Sequence, residues 1–99
     1  MTLNEYQQLA YRTSSPDINK RGHIENGVMG LCGEAGECID IVKKTMFQGH
    51  ELDREKLIDE LGDVLWYAAE LATGLGVPLG DVAQRNIDKL KARYPDGFD

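Results

Sequence analysis

The sequence predicts an all-α protein of four helices, and three observations carry that reading. Apolar residues recur at helical spacings along each long stretch, as in Ile24, Val28, Leu31, Cys32, Ala35, Ile39, Val42 and Met46. None of these stripes shows the strict apolar–polar alternation of a half-buried strand. Breaks at Thr13-Ser14-Ser15-Pro16-Asp17, Phe47-Gln48-Gly49-His50-Glu51-Leu52 and Gly74-Leu75-Gly76-Val77-Pro78 divide the chain.

The first helix begins at Thr2, whose pairing with Glu5 is a capping box, and ends near Arg12, with Tyr6, Leu9 and Ala10 on its apolar face. The second is expected from about His23 to Met46. Asp53 is a plausible N-cap for the third, which reaches about Gly74 with Leu57, Leu61, Val64, Leu65, Ala68, Leu71, Ala72 and Leu75 as its stripe. A last helix from about Leu79 turns Val82, Ala83, Ile87 and Leu90 inward until Tyr94-Pro95-Asp96-Gly97 ends it. The second and third helices are long and expected to be antiparallel. Gly27, Gly30, Gly33 and Gly36 recur inside the second helix, where each costs up to about 1 kcal/mol relative to alanine. Close approach of another backbone or of a bound phosphate offsets such a cost; a kinked helix is the plainer alternative.

The 99 residues fit one domain spanning 1–99, and 41% hydrophobic content leaves little margin without a partner subunit. A net charge of −6 argues against a nucleic-acid or anionic-membrane partner. No apolar run is long enough to span a bilayer, and the start lacks a basic segment followed by an apolar one, so a cytoplasmic protein is expected. Cys32 and Cys38 share a helix about 9 Å apart along its axis, beyond disulfide reach, and are expected as buried thiols.

Two acidic pairs stand out, Glu34 with Glu37 and Glu60 with Asp63. Each pair lies three residues apart and so projects from one face of its helix. A surface helix normally supplies Lys or Arg to its acids at three or four residues' distance, as Lys43 and Lys44 serve Asp40. Glu34, Glu37 and Asp63 have none, and Glu60 has only Lys56, in the less favourable order. Both pairs are embedded among core-type residues. Desolvated carboxylates that lie close together must take up protons or bind cations, and all-oxygen ligands favour Mg²⁺, Mn²⁺ or Ca²⁺. A solvated or helix-pairing face is the alternative.

Asn86, Lys89 and Arg93 form one face of the last helix, suited to polyphosphate oxygens or simply to water. Lys44, about two turns past Glu37, either leans over the acids or pairs with Asp40. Trp66 and Tyr67, one turn after Asp63, either belong to the core or wall a site where a base stacks. No Ser/His/Asp order is recognisable, and neither His23 nor His50 has a nucleophile beside it.

These residues carry a family resemblance. Glu34-x-x-Glu37, then 22 residues, then Glu60-x-x-Asp63, with Asn86-x-x-Lys89 and Arg93-Tyr94-Pro95 downstream, resemble the MazG-like nucleotide pyrophosphohydrolases of the all-α NTP pyrophosphatase superfamily. The similarity covers roughly residues 23–98. It implies hydrolysis of a (deoxy)nucleoside triphosphate to monophosphate and pyrophosphate, dependent on Mg²⁺ with Mn²⁺ as a substitute. It implies Glu34, Glu37, Glu60 and Asp63 as metal ligands and catalytic groups, and Asn86 and Lys89 on phosphate; by position and chemistry alone, Arg93 and Lys44 are further candidates for the phosphates, and Tyr67 and Trp66 for the base. It also implies a homodimer or homotetramer that completes the bundle and the pocket. The rivals are siblings acting on dUTP, dCTP or phosphoribosyl-ATP, and a helical dimerisation module that binds cations without turnover.

Overall fold

The computed structural model describes residues 1–97. Among them the chain forms four helices and no strand: α1 (Leu3–Tyr11), α2 (Lys20–Gln48), α3 (Arg54–Leu75) and α4 (Leu79–Arg93). The Thr2–Glu5 capping box forms as expected, with Thr2 Oγ1 accepting from the Glu5 N–H at 3.0 Å. α2 starts three residues before His23 because Asn19 caps it, its Oδ1 accepting from the Gly22 N–H. It runs on to Gln48, where Gly49 at φ 70° supplies the left-handed stop that a side chain would resist. Asp53 caps α3, and Gly76 at φ 72° ends it.

α2 and α3 are antiparallel and pack on a seam of small residues. A Cβ on Gly27 would lie 2.8 Å from the Leu71 backbone, and one on Gly74 would lie 2.7 Å from the Ile24 nitrogen. Gly30 lies under the Tyr67 ring. Glycine is required at these crossings because the helix backbones approach more closely than a methyl group allows. Close approach therefore accounts for Gly27 and Gly30. It does not account for Gly33 and Gly36, where an added Cβ would meet nothing within 4 Å.

The buried positions of α2, His23, Gly27 and Ile41, share one face with half-buried Gly30, Glu34 and Thr45, while Gly22, Ile24, Leu31, Gly36 and Cys38 are half-buried beside it. The predicted apolar stripe sits one residue further round, about 100° away. Most of it therefore turns from α3 to solvent: Ile39 is 66% exposed and Met46 67%. Cys32 lies on that outer side and is exposed, contrary to the expected burial, while Cys38 is half-buried; both are free thiols.

α1 ties the remaining elements together. Tyr6 and Ala10 pack on Ala69, Ala72 and Leu79. The first N–H groups of α4 have no side-chain cap of their own. α1 supplies the acceptors, Gln7 Oε1 from Leu79 N–H and Asn4 Oδ1 from Gly80 N–H, each at 2.7 Å. Burial along α4 is confined to Leu79, Gly80 and Ala83. The expectation that Val82, Ile87 and Leu90 point inward is thus corrected: all three are exposed, because α4 packs on α1 and α3 and makes no contact with α2.

The result is an open chain. Its radius of gyration is 16.1 Å, against about 13 Å for a compact chain of this length. Its surface is 7536 Å², roughly 1,900 Å² more than expected for a monomer of this mass.

Candidate metal centre

Glu34 occupies the α2 seam one turn beyond Gly30, where the facing residues of α3 are acids. Glu60 and Asp63 lie one turn apart on α3, and Asp63 is followed one turn later by Tyr67, whose ring covers Gly30. One oxygen from each of Glu34, Glu60 and Asp63 lies within 4.8 Å of the others, a separation that a single cation can bridge. Glu34 and Glu60 are half-buried and Asp63 is exposed. Glu37 stands outside this trio on the exposed side of α2, although its charge acts on Glu34.

The acids have no cationic counterpart among the described residues. Among the described residues, the side-chain ion pairs are Arg21–Glu25 and His23–Glu70, both elsewhere. The Glu34 carboxyl is held above its ordinary value, first by a hydrogen bond shared with Glu60, then by desolvation and by the charges of Asp63, Glu60 and Glu37. The same crowding of negative charge favours uptake of either a proton or a cation at this carboxyl. The donor set is all oxygen, which fits a hard divalent ion.

An open cleft of about 330 Å³ lies on the trio, lined by Glu34, Asp63, Trp66 and Tyr67. The two rings meet edge to face, with centroids 5.0 Å apart at 83°. Both are half-buried; Tyr67 also covers Gly30 at the seam, and Trp66 also faces α1 and the turn after it.

The remaining predicted residues lie elsewhere. Asn86, Lys89 and Arg93 are exposed on α4, and none lines this cleft. Lys44 lines a separate cleft of about 260 Å³ with Ile41, His50, Glu51, Asp53 and Lys56, at the far end of the α2–α3 pair.

Three neighbours of the site escaped the sequence reading. Tyr6 is close enough to the acids that Asp63's charge adds to burial in raising its phenol above the usual value. Thr13 Oγ1 accepts from Trp66 Nε1 at 2.9 Å. Glu70, one turn past Trp66, is buried at the centre of a polar network. Its Oε1 accepts from Ser14 Oγ at 2.7 Å and lies 3.0 Å from His23 Nδ1, and its Oε2 accepts from Asn26 Nδ2 at 2.8 Å. Burial pushes the Glu70 carboxyl up, but the bonds from Ser14, Asn26 and His23 outweigh it and leave the carboxyl below its ordinary value. A serine, a histidine and an acid meet here, yet Ser14 donates to the carboxylate, so the imidazole is not placed as its base. Ser14 and Asn26 look like ordinary polar residues in sequence; only the fold brings them to one carboxylate.

The model of the MazG nucleotide pyrophosphohydrolase domain matches residues 23–98, and the chain belongs to that family. It is also 47% identical over 73 residues to the Gene 37 protein of Mycobacterium phage L5, a match that covers 70% of this chain. The chain spans 64% of the length of that phage protein. No solved structure matches. No helix among the described residues is long and apolar enough to cross a membrane.

Proposed function

We propose that the protein is a nucleoside triphosphate pyrophosphohydrolase, acting from residues 1–99 as one domain in the cytoplasm. It adds water across the α–β phosphoanhydride bond of a (deoxy)nucleoside triphosphate, giving the monophosphate and pyrophosphate. The observation that carries this reading is the trio Glu34, Glu60 and Asp63, without cationic partners and beside an aromatic cleft, in a chain of this family.

Glu34, Glu60 and Asp63 hold the cation, Mg²⁺ or Mn²⁺, with Glu37 one turn along α2 as the fourth acid of the set. A bound divalent ion supplies neutralisation of the polyphosphate and a more acidic water. A carboxylate of the set that is not engaged with the ion takes the water's proton. Trp66 and Tyr67 wall the base. Release of pyrophosphate leaves negative charge that ammonium and amide groups offset.

Those groups come from a second copy. α4, with Asn86, Lys89 and Arg93, does not reach α2 of its own protomer, and the apolar stripe through Ile39 and Met46 has no cover. A homodimer or homotetramer buries that stripe and brings the α4 of one subunit to the acids of another. Lys44 stays with its own cleft and contributes little.

The test is pyrophosphate release from a panel of ribo- and deoxynucleoside triphosphates, with phosphoribosyl-ATP included, in the presence of Mg²⁺. Glu60→Gln and Asp63→Asn should each lower turnover by about 100-fold or more. Wild-type rates in both variants would remove the acids from the mechanism. Nucleotide binding without consumption would make the protein a binding module.

A further inference from the structure

We propose that Thr13 is the positioning residue for the aromatic wall, orienting Trp66 from a segment that precedes the family-matched region. This inference rests on the reading of the Glu34–Asp63 cleft as the nucleotide site. Thr13 lies in the turn after α1, and residues 1–22 are outside the MazG match. Its hydroxyl proton is committed to the Ala10 carbonyl at 2.9 Å, so toward the indole it acts as an acceptor, and Trp66 Nε1 donates to it at 2.9 Å. The turn itself is held by the neighbouring residue: Ser14 donates to Glu70, one helical turn past Trp66, inside the buried network with His23 and Asn26. Two successive residues of one turn thus grip two successive turns of α3.

The consequence for the cleft is specific. An indole has a single N–H donor, and here it faces the turn after α1. What Trp66 offers a ligand is therefore ring surface and no hydrogen bond. A wall of that kind holds a base by stacking, which every base supports. The Thr13–Trp66 bond lies at the surface, where a single hydrogen bond adds little stability. Its effect is orientation.

Trp66 is the one tryptophan of the chain, so intrinsic fluorescence reports on this ring alone. In the full-length protein, Thr13→Val should lower Trp66 anisotropy and raise KM by about three- to tenfold, more than it lowers kcat. The melting temperature should move by no more than about 5 °C. Thr13→Ser keeps the acceptor and should restore both readouts. In a Trp66→Phe background, which has no N–H, Thr13→Val should leave KM unchanged, and this cycle decides the matter if Thr13→Val alone folds poorly. Unaltered anisotropy and KM in Thr13→Val, or an equal effect with and without the N–H, overturns the proposal. If wild type turns over no nucleotide, the proposed activity fails. Thr13 is then judged by whether Thr13→Val weakens quenching of Trp66 by a non-hydrolysable nucleoside triphosphate.

Discussion

Replacing Gly27, Gly30, Gly33 and Gly36 by alanine, one at a time, makes a single chemical change at four positions of α2, and the structure gives it different signs. Alanine is favoured over glycine in a helix interior by about 1 kcal/mol. At Gly33 and Gly36 a Cβ meets nothing within 4 Å, so each variant gains about 0.5–1 kcal/mol in the protomer. At Gly27 the Cβ would lie 2.8 Å from the N, Cα and Cβ of Leu71, which sits well inside a 22-residue helix and cannot rotate away. Relief requires the two long helices to part. Overpacking of that kind costs about 3 kcal/mol, leaving a net loss of about 2 kcal/mol after the propensity gain. That corresponds to a drop in melting temperature of about 8–16 °C for a domain of this size. At Gly30 the obstacle is the Tyr67 ring, a side chain that can move, so stability falls less and the cleft wall shifts. Thermal unfolding followed by circular dichroism at one fixed protomer concentration measures all four. A Gly27→Ala protein that melts at or above wild type would refute the seam. A loss at Gly33 or Gly36 as deep as that at Gly27 would place a second backbone against the open side of α2.

Further outcomes follow from the charges and from α4. Because the Glu34 carboxyl is raised, the folded apo protein holds more protons than the unfolded chain above the ordinary value of 4.5, and its stability falls as pH rises through that window. Mg²⁺ competes with protons for these oxygens, so it should raise the melting temperature more near about pH 7.5 than near about pH 5; equal shifts would contradict ion binding at the acids. Glu70 behaves oppositely. Its carboxyl is lowered, so it contributes stability above the ordinary 4.5 that is lost as pH falls through its folded value. Glu70→Gln should flatten that acid limb in a pH series of urea melts. Glu70→Ala, which strands His23, Ser14 and Asn26, should cost about 3–5 kcal/mol. Mixing Glu60→Gln with Lys89→Ala protein should restore up to about a quarter of wild-type activity if each site of a dimer draws on both chains, since half the dimers are mixed and each has one intact site. No recovery would assign α4 to its own subunit's acids.

The helices were legible in the sequence where the signals are local. Capping by Thr2 with Glu5 and by Asp53 acts within three residues, and the breaks at Gly49 and Gly76 need only a positive φ. Asn19 caps α2 without a capping-box partner to mark it, which is why α2 begins earlier than expected. The direction of each face was much less legible. Periodicity identifies a stripe but not the neighbour that covers it, and much of the face of α2 that packs on α3, at His23, Gly27, Gly30 and Glu34, does not signal burial by hydropathy. The acids were readable from their missing partners, which is why the meeting of Glu34, Glu60 and Asp63 matches their spacing. Thr13, Ser14 and Glu70 were not, because the contacts Thr13–Trp66, Ser14–Glu70 and His23–Glu70 span 53, 56 and 47 residues, and no local pattern reports them.

The glycine seam also acts as a gauge for the cage beyond it. Backbone contact at Gly27 and Gly74, and ring contact at Gly30, fix how far apart α2 and α3 run, and Glu34 faces Glu60 and Asp63 one to two turns further along the same pair. The width of the oxygen cage is thereby set by three residues that have no side chains. Mg²⁺ accepts oxygens at about 2.0–2.1 Å and Ca²⁺ at about 2.3–2.6 Å, so a few tenths of an ångström separate the two ions. Widening the seam by one methyl group is an adjustment of that order, and ion preference is the property through which it would be felt.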